Sequence, residues 1–272
     1  MTQSPRDDHA LAAWLAEEAG RLLLGVREEV GFADVDALKK AGDLRSHEHL
    51  VAALAERRPG DAVLSEEGKD DLARLDADRV WIVDPLDGTR EFGEEGRTDW
   101  AVHVALWQSG ELVAGAVALP ARGVTLRTAE GGALVSPSDG TPDHPLRVPE
   151  PEPGRLRVAV SRSRPPKFVQ ALADRVDAEV ELVPIGSAGA KISAVLLGEV
   201  DAYVHAGGQY EWDSAAPVAV AVAAGAHVSR IDGAVPRYNQ KDPRLPDILV
   251  CHPVSASMLL TGIRDVGAVP PG

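Results

Sequence analysis

The stretch Val80-Trp81-Ile82-Val83-Asp84-Pro85-Leu86-Asp87-Gly88-Thr89 constrains this chain more than any other. Its apolar half reads as a strand, and that strand runs directly into two carboxylates three residues apart. Pro85 fixes φ at the strand exit. Gly88 permits a tight turn and the close approach of a ligand to the backbone. Asp84 and Asp87 thereby converge at the carboxyl end of a sheet, where α/β folds bind their ligands. Hard oxygen ligands around one point suit Mg²⁺. The same residues are also sound turn chemistry with no metal at all.

Two further acidic groups bear on that choice. Leu64-Ser65-Glu66-Glu67 sets adjacent carboxylates after another short strand, and Glu211-Trp212-Asp213-Ser214 puts an aspartate where a helix begins. Singly, the first is a solvated loop and the second a helix N-cap. Three acidic groups, all at element ends, together mark a metal site.

Around these groups the pattern predicts helices over 10–30 and after Asp43, then strands at 62–64, 79–83, 101–107 and 111–119, with 125–135 extending the sheet. Six prolines between Pro137 and Pro153 rule out a helix or a central strand there. That segment reads as a connector between an N-terminal half, 1–150, with most of the metal ligands, and a C-terminal half, 151–272, with the Trp-Asp motif. The second half alternates: strands at 156–160, 179–183, 200–205, 227–231 and 248–251, and helices near 166–176, 188–197, 214–224 and 255–264. Such alternation predicts a layered α/β arrangement.

Composition narrows the function classes. A net charge of −14 argues against nucleic-acid binding, which wants a basic footprint. It leaves room for a small anionic substrate, because bound divalent cations reverse the local field. The single Cys251 excludes an intramolecular disulfide and any cysteine-rich metal centre within one chain. Residues 1–8 lack the basic flank and apolar stretch of a leader. The most apolar run, Ala215 to Ala226, is too short to span a bilayer. A cytoplasmic protein without membrane contact is expected.

Asp84-Pro85-Leu86-Asp87-Gly88-Thr89 and Trp212-Asp213-Ser214-Ala215-Ala216, with Glu66-Glu67 and Gly186-Ser187 in order and at similar distances, resemble the lithium-sensitive, magnesium-dependent phosphomonoesterases. That family includes inositol monophosphatase and 3'(2'),5'-bisphosphate nucleotidase. The resemblance implies an αβαβα layered sandwich, like inositol monophosphatase and fructose bisphosphatase. It implies one Mg²⁺ on Glu66, Asp84 and the Leu86 carbonyl, and a second on Asp84, Asp87 and Asp213. A third, weaker ion in some members lies near Glu66 and Asp43, so two or three ions per subunit are expected. It assigns catalysis to Asp43, Glu66 and Thr89, and substrate contacts to Asp87, Gly88, Thr89, Gly186, Ser187, Lys191 and Asp213. Many inositol monophosphatases are dimers, which makes a homodimer an expectation.

The chemistry agrees with those roles. Phosphomonoester hydrolysis needs a water in line with the leaving oxygen and charge stabilisation on both. Thr89, bonded to Glu66 or Asp43, can accept and relay that water's proton. Gly186-Ser187 can offer amides to an anionic group or serve as a plain helix cap. Lys40-Ala41-Gly42-Asp43 departs from the family's Thr-x-x-Asp, which weakens the case for a third ion.

Three cues resemble the nucleotidase branch: Arg90-Glu91-Phe92 after Gly88-Thr89, Tyr238-Asn239-Gln240 near the end, and Gly186-Ser187 with Lys191. They imply a small phosphorylated substrate, 3'-phosphoadenosine 5'-phosphate, cleaved to AMP and phosphate as in sulfate assimilation. Inositol monophosphatase or fructose 1,6-bisphosphatase activity, or a non-catalytic nucleotide sensor, are the alternatives. Lys191 and Arg237 are candidate donors to a second phosphate, and Tyr210 and Tyr238 candidate neighbours of an adenine. Trp14, Trp81, Trp100 and Trp107 read as core. His47 and His49, two apart on a helix, do not share a face.

Overall fold

The computed structural model describes residues 7–163, 165–176 and 178–268. Residues 1–6, most of the segment read above for a leader, lie outside the described residues. The chain opens with two long helices, α1 (Asp8–Val30) and α2 (Val35–Arg57). Leu11, Leu15, Leu23 and Val26 give α1 an apolar stripe at helical spacing, and Asp7 caps it by accepting from the His9 and Ala10 amides. The second helix begins earlier than the sequence pattern predicts. Asp34 caps it through the Ala37 amide, and Leu38, Gly42 and Ser46 continue the buried face by steps of four, so Asp43 lies mid-helix.

Seven strands follow: β1 (Ala62–Ser65), β2 (Arg79–Asp87), then the short helix α3 (Thr89–Phe92), β3 (Ala101–Gln108), β4 (Glu111–Leu119), β5 (Val124–Ala129), β6 (Gly132–Pro137) and β7 (His144–Leu146). They form one sheet in sequence order. Only β1 and β2 run parallel. Pro145 is accommodated because β7 is an edge strand.

The second sheet draws on β8 (Arg155–Ser161), the short α4 (Val169–Ala173), β9 (Glu179–Ile185), α5 (Ala188–Leu196), β10 (Ala202–Ala206), α6 (Glu211–Ala223), β11 (His227–Ser229), β12 (Asp247–Cys251) and α7 (Pro253–Asp265). Its strand order is β11-β12-β10-β8-β9. The helix expected over 166–176 forms only at its centre, α4. The helix expected from Ser214 starts at Glu211, which moves Asp213 from a cap position into the first turn.

Period-two alternation decides the layers. On β2, Trp81 and Val83 face α1 and α2, while Val80 and Ile82 face the opposite way, toward α5 and α6. The second sheet closes that middle layer with Tyr203, Ile248 and Val250, and packs Val158, Val204 and Leu249 against Val169, Leu172, Leu259 and Ile263 of α4 and α7. The result is helix, sheet, helix, sheet, helix, the expected αβαβα sandwich. Trp81 and Trp100 are fully buried, as the core reading requires. Trp14 and Trp107 are half-buried against it. Among the described residues no helix is long and apolar enough to cross a membrane.

Candidate active site

The parallel pairing of β1 with β2 ends with Ser65 beside Val83, so the residue after β1, Glu66, emerges next to Asp84 of β2. The Glu66 amide donates to the Val83 carbonyl at 3.4 Å. A register shift between Asp84 and Asp87 breaks the pairing of β2 with β3 and turns both carboxylates inward. Ser46 of α2 fixes that turn by donating to the Pro85 carbonyl at 2.7 Å. Gly88 then adopts φ +88°, and a Cβ there would lie 2.9 Å from Ser187, so both conformation and crowding require glycine.

The C-terminal half completes the cluster. Oxygens of Asp84, Asp87 and Asp213 lie within 4.8 Å of one another. Asp213 is set by its own helix, its Oδ2 accepting from the Tyr210 amide at 2.7 Å. Asp87 accepts from the Ala188 and Gly189 amides at the start of α5, at 3.2 and 2.6 Å. His103 lies against the same carboxylate.

These supports make the carboxylates titrate in opposite directions. Burial, then the charges of Glu66, Asp87 and Asp213, hold Asp84 well above the usual carboxylate range. Burial and the Asp87 charge push Asp213 up to about 7. Glu66 is exposed as a residue, but its carboxyl end is desolvated within the cluster and, with the charge of Asp213, is also pushed up to about 7. Burial would raise Asp87 too, yet His103 and the Gly189 amide outweigh it, and its pKa is lowered. Closely spaced carboxylates that resist simultaneous ionisation are an unfavourable arrangement for a protein on its own. A hard divalent cation relieves it, and an all-oxygen donor set fits such an ion.

At the rim, the Thr89 hydroxyl lies between two acceptors, Asp43 Oδ1 at 3.4 Å and the Leu86 carbonyl at 3.2 Å. Burial and the charge of Glu67 push Asp43 up to about 6. A cleft of roughly 300 Å³ opens over Thr89, Asp87 and Asp213, lined also by Gly88, Ser187 and Gln209.

Several expected substrate contacts have other partners. The Gly186 amide donates to Asp99 Oδ2 at 2.6 Å and the Ser187 amide to the Asp99 carbonyl at 3.1 Å. Ser187 Oγ caps α5 through the Ala190 amide. The start of α5 therefore serves Asp87 and its own cap, because the nearest anion is a side chain of the protein. Lys191 is 3% exposed and donates to the Gly186 and Ser187 carbonyls, which fixes the same loop. Tyr238 is buried, its hydroxyl 3.1 Å from Ser214 Oγ, so it is a packing residue. Asn239 and Gln240 donate their amides to the Glu211 carboxylate, and Arg74 grips the Asn239 side chain. Tyr210 remains exposed, stacked on Trp212 with ring centroids 4.8 Å apart. Arg237 is exposed on the loop before Tyr238.

Sequence reasoning missed His103, Asp99 and the ion pair of buried Glu91 with Arg162 at 2.8 Å. His103 left a signal, an imidazole inside the apolar run 101–107. Asp99 left no signal of its role beyond a local ion pair with Arg97, since the amides it binds lie 87 and 88 residues away in the chain.

The chain matches the inositol monophosphatase family over residues 8–267. It is 50% identical over 273 residues to a 3'-phosphoadenosine 5'-phosphate phosphatase of Mycobacterium leprae, covering 97% of this chain and 96% of that protein. A protein of the same name from Mycobacterium tuberculosis is 53% identical over 91% of this chain and 90% of its own length. Among solved structures, CysQ from Bacteroides thetaiotaomicron superposes with a TM-score of 0.78 at 31% identity, over 89% of this chain and 96% of that one.

Proposed function

The chain belongs to the inositol monophosphatase family, and we propose that it is a Mg²⁺-dependent phosphatase that hydrolyses 3'-phosphoadenosine 5'-phosphate to AMP and phosphate, as sulfate assimilation requires. The observation that carries the phosphatase reading is the convergence of Asp84, Asp87 and Asp213 beneath an open cleft. The relatives of that name carry the choice of substrate.

In this reading Asp84, Asp87, Asp213 and Glu66, with the Leu86 carbonyl, hold two Mg²⁺, and Asp43 with Glu66 borders a third. Bound Mg²⁺ would supply an acidified water and charge neutralisation at the leaving oxygen. The protein's own residues orient and move the proton. Thr89 Oγ1 accepts a hydrogen bond from the attacking water and passes its own proton toward Asp43 Oδ1, whose raised pKa suits it to receive one. Gly88, having no side chain, lets the phosphoryl group approach the backbone. The supports of Asp87 keep that carboxylate from following the substrate. Tyr210, exposed at the start of α6, is the aromatic surface we assign to the base, and Arg90, lining the cleft, the cation for the second phosphate.

Li⁺ inhibition and a homodimer go with the family reading. So does a cytoplasmic location, with which the buried free thiol of Cys251 is compatible. The test is phosphate release from 3'-phosphoadenosine 5'-phosphate, inositol 1-phosphate and fructose 1,6-bisphosphate at saturating Mg²⁺ and matched ionic strength. The nucleotide should win by at least about tenfold in kcat/KM, which needs only ~1.4 kcal/mol of differential stabilisation. Equal or reversed values would move the substrate to another branch of the family.

A further inference from the structure

His103 is fully buried in the middle of β3, between valines. Alternation sends Ala101, His103 and Ala105 toward α5 and α6, and Val102, Val104 and Leu106 toward α1 and α2. A ring with two polar nitrogens is costly in that layer unless both nitrogens meet partners. Nδ1 lies 3.1 Å from the Trp212 carbonyl oxygen, and Nε2 lies 3.2 Å from Asp87 Oδ2. The second is a charge contact, off the line of an aligned hydrogen bond. Both neighbours are oxygens without hydrogens, so each ring nitrogen faces an acceptor. It thus touches a carboxylate of the first acidic motif and the backbone of the second.

The surroundings are shaped to this ring. A Cβ on Gly189 would come within 2.0 Å of Nε2, so the imidazole fills the space a side chain at 189 would need. The Gly189 amide, relieved of that side chain, reaches the same Asp87 oxygen at 2.6 Å. Glycine in the first turn of a helix lowers helix propensity. Here it admits the ring. A histidine that merely filled the core would need neither that glycine nor two oxygen partners on opposite motifs.

We propose that His103 is a positioning residue that ties the two acidic motifs together. It bears on Asp87 directly and, through the Trp212 carbonyl, on the first turn of α6 that carries Asp213. The two carboxylates thereby keep the spacing a divalent cation needs. This inference rests on the reading of Asp84, Asp87 and Asp213 as metal ligands. Groups that orient ligands in this way typically change metal affinity by about 10- to 100-fold.

The experiment compares full-length wild type with His103→Leu, His103→Gln and Gly189→Ala, each checked for folding by circular dichroism. Mn²⁺ affinity is read from the free-ion electron paramagnetic resonance signal, and the Mg²⁺ concentration for half-maximal phosphate release is measured in parallel. His103→Leu should weaken Mn²⁺ binding by about tenfold or more and move the Mg²⁺ midpoint with it. KM for the phosphomonoester at saturating Mg²⁺ should change less than about threefold, because the ring touches ligands rather than substrate. His103→Gln, which keeps a donor, should recover part of the loss. Gly189→Ala should weaken metal binding by displacing the ring, and should cost little more when combined with a further variant, His103→Ala, that removes the ring. If His103→Leu fails to fold, His103→Gln and Gly189→Ala carry the same comparison. A folded His103→Leu with lower Tm and unchanged Mn²⁺ affinity overturns the proposal and makes the ring a packing residue. Wild type that binds no Mn²⁺ overturns the metal reading and this inference together.

Discussion

Asp87, on the floor of the cleft, is gripped by two helix amides and a buried imidazole. Asp43, at the rim, meets the Thr89 hydroxyl at 3.4 Å as its one hydrogen-bond donor among the described residues. The same functional group is rigidly supported in one place and loosely in the other. Donors lower the pKa of Asp87 despite its burial, whereas at Asp43 burial and the Glu67 charge outweigh the Thr89 hydrogen bond and the Lys39 charge, and its pKa rises to about 6. An anchored, ionised carboxylate suits a fixed metal ligand. A carboxylate with a raised pKa suits a group that takes up a proton and releases it. Support, more than residue type, separates the two roles.

The comparison breaks most visibly if floor and rim respond alike to mutation. Asp87→Asn should reduce kcat/KM by at least about a thousandfold while the protein stays folded, since it removes charge from the cluster and misdirects two amides. Thr89→Ala at the rim should cost about a hundredfold, the scale of a lost proton relay, with little change in metal affinity. Comparable losses in metal binding for both variants would remove the distinction.

Stability against pH sharpens it further. Glu66 and Asp213 are raised to about 7, and Asp84 lies well above its ordinary value. A carboxylate with a raised folded pKa binds more protons folded than unfolded, so its contribution is lost as pH climbs from about 4 through the folded value. Asp87, lowered, acts the other way and matters only in acid. In EDTA, Tm should therefore be a few degrees lower at pH 8 than at pH 6, and Mg²⁺ should raise it more at pH 8. A metal-free protein that gains stability from pH 6 to pH 8 would contradict the assignment.

A smaller effect is expected from Glu67→Gln. The Glu67 charge helps to raise Asp43, so its loss should move the acid limb of the activity profile to lower pH. Activity at pH 8 should stay within about threefold. An unshifted acid limb would show that Asp43 does not govern it.

The layered fold was legible because each element carries its own pattern: alternation on β2 and β3, the apolar stripe on α1, the prolines of the connector. The acidic cluster was legible because Asp84 and Asp87 share one turn, and because Asp213 and Glu66 stand at element ends. Legibility failed where partners are distant. The pattern predicts α2 only after Asp43, whereas Asp34 supplies the cap and Phe92 packs where a side chain at 42 would sit. The amides of Gly186 and Ser187 looked available to an anion, but Asp99 takes both. Lys191 looked like a phosphate donor, yet two of its three N–H groups go to carbonyls of its own loop. In each case a residue type was compatible with a role, and a contact from elsewhere in the chain had already engaged it.

The most direct measurement is anomalous diffraction from crystals of the wild-type protein grown with Mn²⁺ in place of Mg²⁺. Anomalous peaks should appear between the carboxylates of Asp84, Asp87 and Asp213, at about 2.0–2.3 Å from their oxygens. The Gly189 amide should still face Asp87. A cluster without anomalous density, or with ions bound only elsewhere, would contradict the account.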